Sequence, residues 1–267
     1  MLHPFQAILL GVVEGLTEFL PVSSTGHLIL AAWVLGLEGE AVKTFEIVIQ
    51  AGSLAAVLGL YRGSVLAMWR GCLGRDAAGR RLAINLGISF APAALLGVAL
   101  HRAIKAWLFT PSTVVAALAL GGALMIAVDR RRPCPPRAAS GLAAVGPREA
   151  LLIGLAQCVA LWPGTSRSMA TIVAGLLLGV PATVAAEYSF LLALPTLGAA
   201  TIFDALQGGP ALLRQLSGLS VACGFVSAGI VAALAIRGFI RYLATRGLAP
   251  FGWYRLGLAA AVWIISI

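Results

Sequence analysis

The sequence has little charge. Only 11% of its 267 residues are Asp, Glu, Lys or Arg, and 60% are hydrophobic, whereas a soluble domain usually has about 25% charged residues. A soluble fold of this size could not cover so much apolar surface, and a disordered chain would be far less hydrophobic. The same composition excludes a disulfide scaffold. The four cysteines form no C-x-x-C pair, so we expect free, packed thiols and no metal or redox group. What remains is an integral membrane protein with several spans.

The N-terminal sequence does not have the pattern of a targeting leader. The first residues carry no basic segment and the first apolar stretch holds two glutamates, so we expect no cleavable signal peptide. The net charge is +9, but the arginines cluster in short loops between apolar runs. We therefore interpret them as topology signals and lipid contacts and expect no nucleic-acid partner.

Six apolar runs are long enough to cross a bilayer as helices. Each has 17 to 23 residues, and a span needs about 20. The runs cover residues 45–61, 82–101, 111–128, 185–207, 216–236 and 250–267.

Four other apolar runs are shorter or interrupted, and they come in pairs joined by polar turns that contain proline. They cover residues 4–20, 24–36, 149–162 and 168–179. The second run of each pair would reach about 18–20 Å as a helix, whereas the hydrocarbon core is about 30 Å thick. The pattern therefore predicts two re-entrant helical hairpins, whose turns must be buried in protein or face a wet cavity.

The two halves of the chain match each other in register. Five pairs keep a spacing of 141 to 143 positions: Gly11 with Gly154, Pro21 with Pro163, Ser24 with Ser166, Gly36 with Gly179, and Glu46 with Glu187. The match predicts a single membrane domain over residues 1–267, built from repeats of about 1–128 and 149–267. The loop 129–148, which is rich in Arg and Pro, joins them.

Charge sets the orientation of these repeats. Three loops, 62–81, 129–148 and 237–249, hold 13 basic residues, and the opposite loops hold four. The positive-inside rule makes those three loops cytoplasmic, so the first hairpin enters from outside and the second from inside. The prediction is an all-α integral membrane protein with six transmembrane helices and two re-entrant helical hairpins in an inverted-topology repeat, with the hairpin tips meeting near the midplane.

Two carboxylates lie at membrane depth in the first hairpin. A charge at the bilayer centre costs at least about 2.5–3.5 kcal/mol, so it persists when it is paired, hydrated or functional. Glu14 and Glu18 are four positions apart on one helix face, and two such charges cannot both ionise cheaply. Either one keeps a proton or a hard cation, Mg²⁺ or Ca²⁺, lies between them. The alternative is a structural acidic pair at the membrane boundary.

The turns add hydroxyls, an imidazole and a guanidinium. His27 follows Ser24 by one helical turn, so the two side chains can form a nucleophile and base, although a serine here can also be a simple N-cap. Arg167 begins the second short helix, where a guanidinium and free N–H groups favour a phosphate. The alternative is that Arg167 only neutralises Glu18.

We take the polar residues of both turns as candidate substrate contacts. They are Ser23, Thr25, Gly164, Thr165, Ser166, Arg167 and Ser168. Glu46 and Glu187 each begin a long apolar span, and the sequence does not separate a structural role from one in the cavity.

Two strings resemble a known family. GVVEGLTEFLPVSSTGH (Gly11 to His27) and LWPGTSRS (Leu161 to Ser168) are similar to the signature regions of the undecaprenyl-diphosphate phosphatase family, also called bacitracin-resistance proteins. KTFEIVIQAGSLAAV (Lys43 to Val57) and the chain length resemble that family as well. The resemblance implies a hydrolase of the bacterial plasma membrane that removes the terminal phosphate of undecaprenyl diphosphate. The product would be the lipid carrier of peptidoglycan synthesis, and its recycling would confer bacitracin resistance.

The resemblance also implies roles for individual residues. Family members use the positions that correspond here to Glu14, Glu18, Ser24, His27, Ser166 and Arg167, with Gly164 shaping the second turn. They are associated with a divalent cation and with a site that opens outward. Met169 stands where the family usually has Gly, and we expect it to narrow the approach to the second turn.

The sequence leaves the chemistry partly open. The nucleophile is Ser24, His27 or water, and the base is His27 or Glu18. Expected partners are a polyprenyl diphosphate, membrane lipid and a second copy of the chain in a homodimer. The rival interpretation is a transporter or flippase for a phosphorylated lipid, because many carriers are also inverted repeats with broken helices.

Overall fold

The structure, a computed structural model, describes residues 2–37, 40–108, 110–131, 141–213 and 217–266. Within helical parts of these ranges, the side chains of 40–44, 101–106, 111, 207–213 and 265–266 are not described. Predictions that fall on residues 132–140, including the thiol of Cys134, lie outside the described residues. The other three cysteines are free thiols.

The described ranges are helical and contain no β-strand. Eleven α-helices lie within them: α1 Pro4–Thr17, α2 Ser24–Val34, α3 Glu40–Leu60, α4 Arg62–Cys72, α5 Ala77–Trp107, α6 Pro111–Arg131, α7 Pro147–Gln157, α8 Arg167–Leu177, α9 Ala182–Leu213, α10 Gly218–Leu243 and α11 Ala249–Ser266. The all-α prediction is therefore confirmed.

Four helices, α5, α6, α9 and α10, are long and apolar enough in their described parts to cross a membrane. A fifth candidate is α3 together with α4, which bends by 80° at Tyr61. The described ranges therefore contain four or five candidate spans, as expected for a multi-span protein, and the complete six-span arrangement stays a prediction.

Helix α4 corrects one expectation, because the sequence predicted a loop over 62–81. The chain instead forms a helix there and packs it against α5. The two helices approach closely at glycines, since a Cβ at Gly71 would lie 2.6 Å from the backbone carbon of Gly79. Two small residues at one crossing let the backbones touch, and this contact favours helix over loop.

The four predicted short segments are short helices. Helix α1 ends at Thr17 and α2 begins at Ser24, while α7 and a 3-10 turn, Cys158–Leu161, precede α8 at Arg167. Helices α1, α2 and α8 are apolar and have 10–17 residues. Each pair brackets one of the polar turns.

The two turns share an unusual backbone conformation. Ser23 (φ 75°) and Ser166 (φ 72°) are the two non-glycine residues with positive φ in the described ranges, and they lie 143 positions apart. The backbone therefore matches Ser166 with Ser23, not with Ser24 as the sequence register suggested. Gly36 and Gly179 also have positive φ and end α2 and α8, because a left-handed residue closes a helix at little steric cost to glycine.

Each half contributes a short helix that packs on a long helix of the other half. Helix α1 lies along α10 and α7 lies along α5. A Cβ at Gly11 would lie 2.6 Å from the Gly224 carbonyl oxygen, and one at Gly154 would lie 2.7 Å from the Cα of Ser89. These glycines permit the close packing that places both hairpins in the interior. There the two hairpins contact each other, because Ser168 Oγ of the second donates to the Leu20 carbonyl of the first at 2.9 Å.

Candidate active site

Both turns line one cavity of about 150 Å³. The first hairpin contributes Glu18, Ser23, Ser24 and Thr25, and the second contributes Trp162, Pro163, Gly164, Ser166 and Arg167. Gln50, Ala160 and Leu197 complete the lining. The hairpin tips therefore meet at a common cavity, as the sequence predicted.

Glu18 connects the two hairpins. Its Oε2 accepts a 2.5 Å hydrogen bond from Ser24 Oγ, and its Oε1 accepts from Arg167 Nη2 at 3.4 Å. Glu18 and Arg167 are both buried, so the ion pair is shielded from solvent. One carboxylate therefore holds a hydroxyl of its own hairpin and a cation of the other.

Arg167 is held from behind by α9. Its Nη1 donates to the Ser189 carbonyl at 2.8 Å, and the Ser189 hydroxyl lies 2.7 Å from Thr171 Oγ1. Thr171 Oγ1 in turn donates to the Arg167 carbonyl at 2.9 Å. The buried Nε of Arg167 has no hydrogen-bond partner among the described residues. The guanidinium is therefore fixed by Ser189 on one side and Glu18 on the other, with one donor left unsatisfied.

Glu14 lies behind Glu18. It is 1% exposed and is not among the residues that line the cavity. Its Oε1 has no hydrogen-bond partner in the described part of the chain, and Glu18, Glu46 and Arg167 are within electrostatic reach. A proton or a cation would relieve the charge of this buried carboxylate.

The imidazole of His27 is hydrogen-bonded to residues other than Ser24. Its Nδ1 lies 2.8 Å from the Ser23 carbonyl oxygen and its Nε2 lies 2.7 Å from the Tyr254 hydroxyl, with the two rings parallel at 5.6 Å. A neutral imidazole satisfies both bonds if Nδ1 donates and Nε2 accepts. The expected pairing of Ser24 with His27 is therefore absent, because Ser24 faces Glu18 and His27 holds the backbone of Ser23.

The second turn is shaped by Gly164 and the serines. Gly164 has φ 90°, and a Cβ there would lie 2.7 Å from the Val114 carbonyl oxygen, so glycine is required. Ser166 Oγ accepts from Met169 N at 3.3 Å as an N-cap and lies 3.0 Å from Ser168 Oγ. Thr165 is buried.

Met169 does not narrow the cavity. It is 2% exposed and belongs to the hydrophobic core, and it is not among the lining residues. Its Cε would lie 3.0 Å from a Cβ at Gly121 of α6, so the side chain points into the helix packing. The expected narrowing is therefore wrong, because the core accommodates this side chain.

Several residues around the site are not among those that the sequence predicted. Gln50 lines the cavity and accepts from Thr201 Oγ1 at 2.9 Å, while Ser189, Tyr254 and Arg255 hold site residues from behind. Gln50 and Arg255 are polar groups inside apolar runs, which was a usable signal. Ser189 carries no such signal, because a serine is common in membrane helices.

Comparisons with known proteins give one answer. The chain matches the family described as "Bacitracin resistance protein BacA" over residues 7–261. It is 52% identical to the "Undecaprenyl-diphosphatase" of Sorangium cellulosum (strain So ce56), over 97% of this chain and 86% of that protein.

Two further relatives agree. The "Undecaprenyl-diphosphatase" of Azotobacter vinelandii is 44% identical over 96% of this chain and 92% of its own length. The "Undecaprenyl-diphosphatase 2" of Shewanella oneidensis is 39% identical over 100% of this chain and 99% of its own. These matches confirm the resemblance seen in the sequence motifs: the chain belongs to the bacitracin resistance protein BacA family.

Proposed function

We propose that the protein is a membrane phosphatase that hydrolyses undecaprenyl diphosphate to undecaprenyl phosphate and inorganic phosphate. This reaction recycles the lipid carrier of peptidoglycan synthesis and confers bacitracin resistance. The names of the relatives supply the substrate. The observation that carries the proposal is the bridge from Ser24 through Glu18 to Arg167, which unites a nucleophile, a base and a cation for phosphoryl transfer.

The same bridge favours a hydrolase over a carrier. A flippase needs a site that binds the diphosphate, and Arg167 with the helix N-termini would be sufficient for binding. It does not need a hydroxyl held 2.5 Å from a buried carboxylate. That contact is suited to proton removal from an attacking oxygen.

The mechanism uses two displacements at phosphorus. Ser24 Oγ forms a bond to the terminal phosphorus, its proton passes to Glu18 Oε2, and the bridging P–O bond breaks as the prenyl monophosphate leaves. Glu18 gives that proton to the departing prenyl phosphate. Water then attacks the phosphorus of the phosphoserine and its proton passes to Glu18. The Ser24 Oγ–P bond breaks as Glu18 returns the proton to Ser24 Oγ and inorganic phosphate departs. Arg167 stabilises charge on the equatorial oxygens in both steps.

The contacts of His27 support Ser24 as the nucleophile. Both imidazole nitrogens are engaged, with Ser23 and Tyr254, and His27 is not among the lining residues. Its contribution is to fix the first turn at Ser23, next to the attacking residue.

A divalent cation fits the two glutamates. Glu14 and Glu18 would hold Mg²⁺ or Ca²⁺, and the free Oε1 of Glu14 is a suitable hard ligand. No three His, Cys, Asp or Glu side chains converge in the described ranges, so these two carboxylates are the residues that would hold the cation. When bound, such a cation would neutralise charge on the diphosphate.

We further propose the six-span inverted repeat for the chain in the bacterial plasma membrane. Helices α3 and α11 supply the two spans beyond α5, α6, α9 and α10, and the Arg-rich loops lie in the cytoplasm with the cavity opening to the outer face. The spacing between corresponding helices supports the repeat: α7 begins 143 positions after α1, and α8 begins 143 positions after α2.

The purified protein in detergent should release inorganic phosphate from a long-chain prenyl diphosphate, since no vectorial transport is possible there. EDTA should abolish the release and added Mg²⁺ or Ca²⁺ should restore it. A colorimetric phosphate assay measures both. Binding of the lipid without phosphate release would favour the carrier, and release that persists in EDTA would exclude the cation.

The Ser24 mechanism predicts a covalent intermediate. Acid quenching of the enzyme with substrate labelled in its terminal phosphate should yield a phosphoserine at Ser24, located by peptide mass spectrometry. Ser24→Ala should lose label and at least about 10³-fold in kcat, because the attacking oxygen is gone. Label on His27, or near-normal turnover by Ser24→Ala, would contradict the mechanism.

Ser189→Ala should lower kcat about five- to tenfold while leaving the thermal unfolding temperature nearly unchanged. The Ser189 hydroxyl accepts from Arg167 Nη1 at 3.4 Å and contacts Thr171, so its loss removes one of the contacts that fix the position of the guanidinium. Ser53→Ala is the matched control, because Ser53 is equally buried and its hydroxyl has no hydrogen-bond partner among the described residues. Equal activity of the two variants would show that Ser189 does not brace Arg167.

The topology predicts that Cys72 faces the cytoplasm. Cys72 is exposed at the end of α4, so a variant with the other three cysteines replaced by Ser isolates it. A membrane-impermeant maleimide should label it in permeabilised cells and inverted vesicles but not in intact spheroplasts. Labelling of intact spheroplasts would reverse the orientation.

A further inference from the structure

Arg255 is a fully buried cation in the last helix. It is 0% exposed and lies in α11, within the apolar run that the sequence predicts as the sixth span. A guanidinium at such a place needs an acceptor for each N–H, since an unpaired charge in an apolar interior is costly.

All five N–H groups of Arg255 donate to main-chain carbonyls. The contacts are Nε to Leu118 at 3.3 Å, Nη1 to Pro21 at 3.3 Å and to Thr165 at 2.9 Å, and Nη2 to Ala117 at 3.0 Å and to Gly164 at 2.9 Å. Three of these carbonyls belong to the two hairpin turns, and the other two belong to α6. The Arg255 side chain therefore connects the two turns to each other and links both of them to α6 and α11.

The packing of α6 leaves room for this side chain. A Cβ at Gly121 would collide with Nη2 of Arg255 and lie 2.9 Å from its Cζ. A Cβ at Gly122 would lie 2.7 Å from the Gly252 carbonyl oxygen. Glycine at both positions brings α6 and α11 close enough for the guanidinium to reach the turns.

The acceptors of Arg255 are neutral. Its positive charge is therefore spread over peptide dipoles and is not cancelled by a carboxylate hydrogen-bonded to it. In a medium of low dielectric constant, a cation behind both turns raises the electrostatic potential in the cavity, which favours an anionic group there.

The contact with Thr165 also orients an amide. The C=O and the next N–H of a trans peptide point in opposite directions, so the carbonyl drawn toward Arg255 turns the N–H of Ser166 away from it. Ser166 lines the cavity and holds a positive φ of 72°, a conformation that persists only where the surroundings enforce it.

We infer that Arg255 is a positioning residue for phosphoryl transfer, which fixes the second turn relative to the first and so sets Arg167 against Glu18 and Ser24. The inference rests on the proposed phosphatase function. Arg255 does not line the cavity, so it acts through the backbone of the turns and touches no reacting atom.

The test compares Arg255→Lys and Arg255→Met with wild type in steady-state phosphate release from a long-chain prenyl diphosphate. Lysine keeps the charge but cannot supply five N–H donors in a planar fork. We expect kcat to fall about tenfold or more in the Lys variant and about 100-fold in the Met variant, because a displacement of about 1 Å can cost that much. KM should stay within about threefold, and inhibition by orthovanadate should weaken in parallel with kcat/KM.

Arg241→Met is the matched control, because Arg241 is an exposed arginine on α10, and it should match wild type. Unchanged kcat in both Arg255 variants would overturn the inference. Size exclusion and thermal melting measure how much monodisperse, folded protein each variant yields. If kcat falls no further than this yield does, the variants merely fold poorly, and the inference is also overturned.

A second pair of variants keeps Arg255 itself. Gly121→Ala should push the guanidinium away from the turns and lower kcat about fivefold or more. Gly87→Ala adds the same methyl group to α5 where nothing lies within 4 Å and should leave kcat unchanged. Wild-type turnover by Gly121→Ala would contradict the positioning role. If wild-type protein itself released no phosphate, the proposed function would fail instead.

Discussion

The ion pair between Glu18 and Arg167 is the contact on which the site depends. Each partner alone would be a buried charge of high cost, and neither hairpin can satisfy its own charge. The pair forms only if both turns reach the same depth, which half-length helices and close glycine contacts permit. The Ser24 hydroxyl donates to the other oxygen of Glu18, so the ion pair lies directly beside the proposed nucleophile.

The two halves supply different chemistry at equivalent places. On the offset of 143 positions, Glu14 corresponds to Gln157 and Ser24 to Arg167. Gln157 is buried and donates to the Ser89 carbonyl at 3.4 Å, so the second half uses a neutral amide where the first has an acid. If the proposed repeat arose by duplication, the halves have since diverged: the first carries the carboxylates and the proposed nucleophile, and the second carries the cation.

The sequence predicted the features that depend on length and on buried charge. Helices too short to span, with Glu18 and Arg167 beside their turns, required a shared interior cavity. The sequence could not predict the partner of His27. Helical spacing places His27 near Ser24, but the hydrogen bond to Tyr254, 227 positions away, sets the orientation of the ring. The charge of Arg255 inside an apolar run was a usable signal, but its contacts were not predictable, because its acceptors are backbone carbonyls and no residue type marks them.

A double-mutant cycle of Glu18→Gln and Arg167→Met, measured by unfolding in detergent, tests the meeting of the hairpins most directly. Removing Arg167 alone leaves a buried carboxylate without its partner, which costs about 3–5 kcal/mol. The account predicts that the double variant is more stable than Arg167→Met, with a coupling free energy of at least about 1 kcal/mol. Additive losses in the two single variants would contradict the contact between the turns.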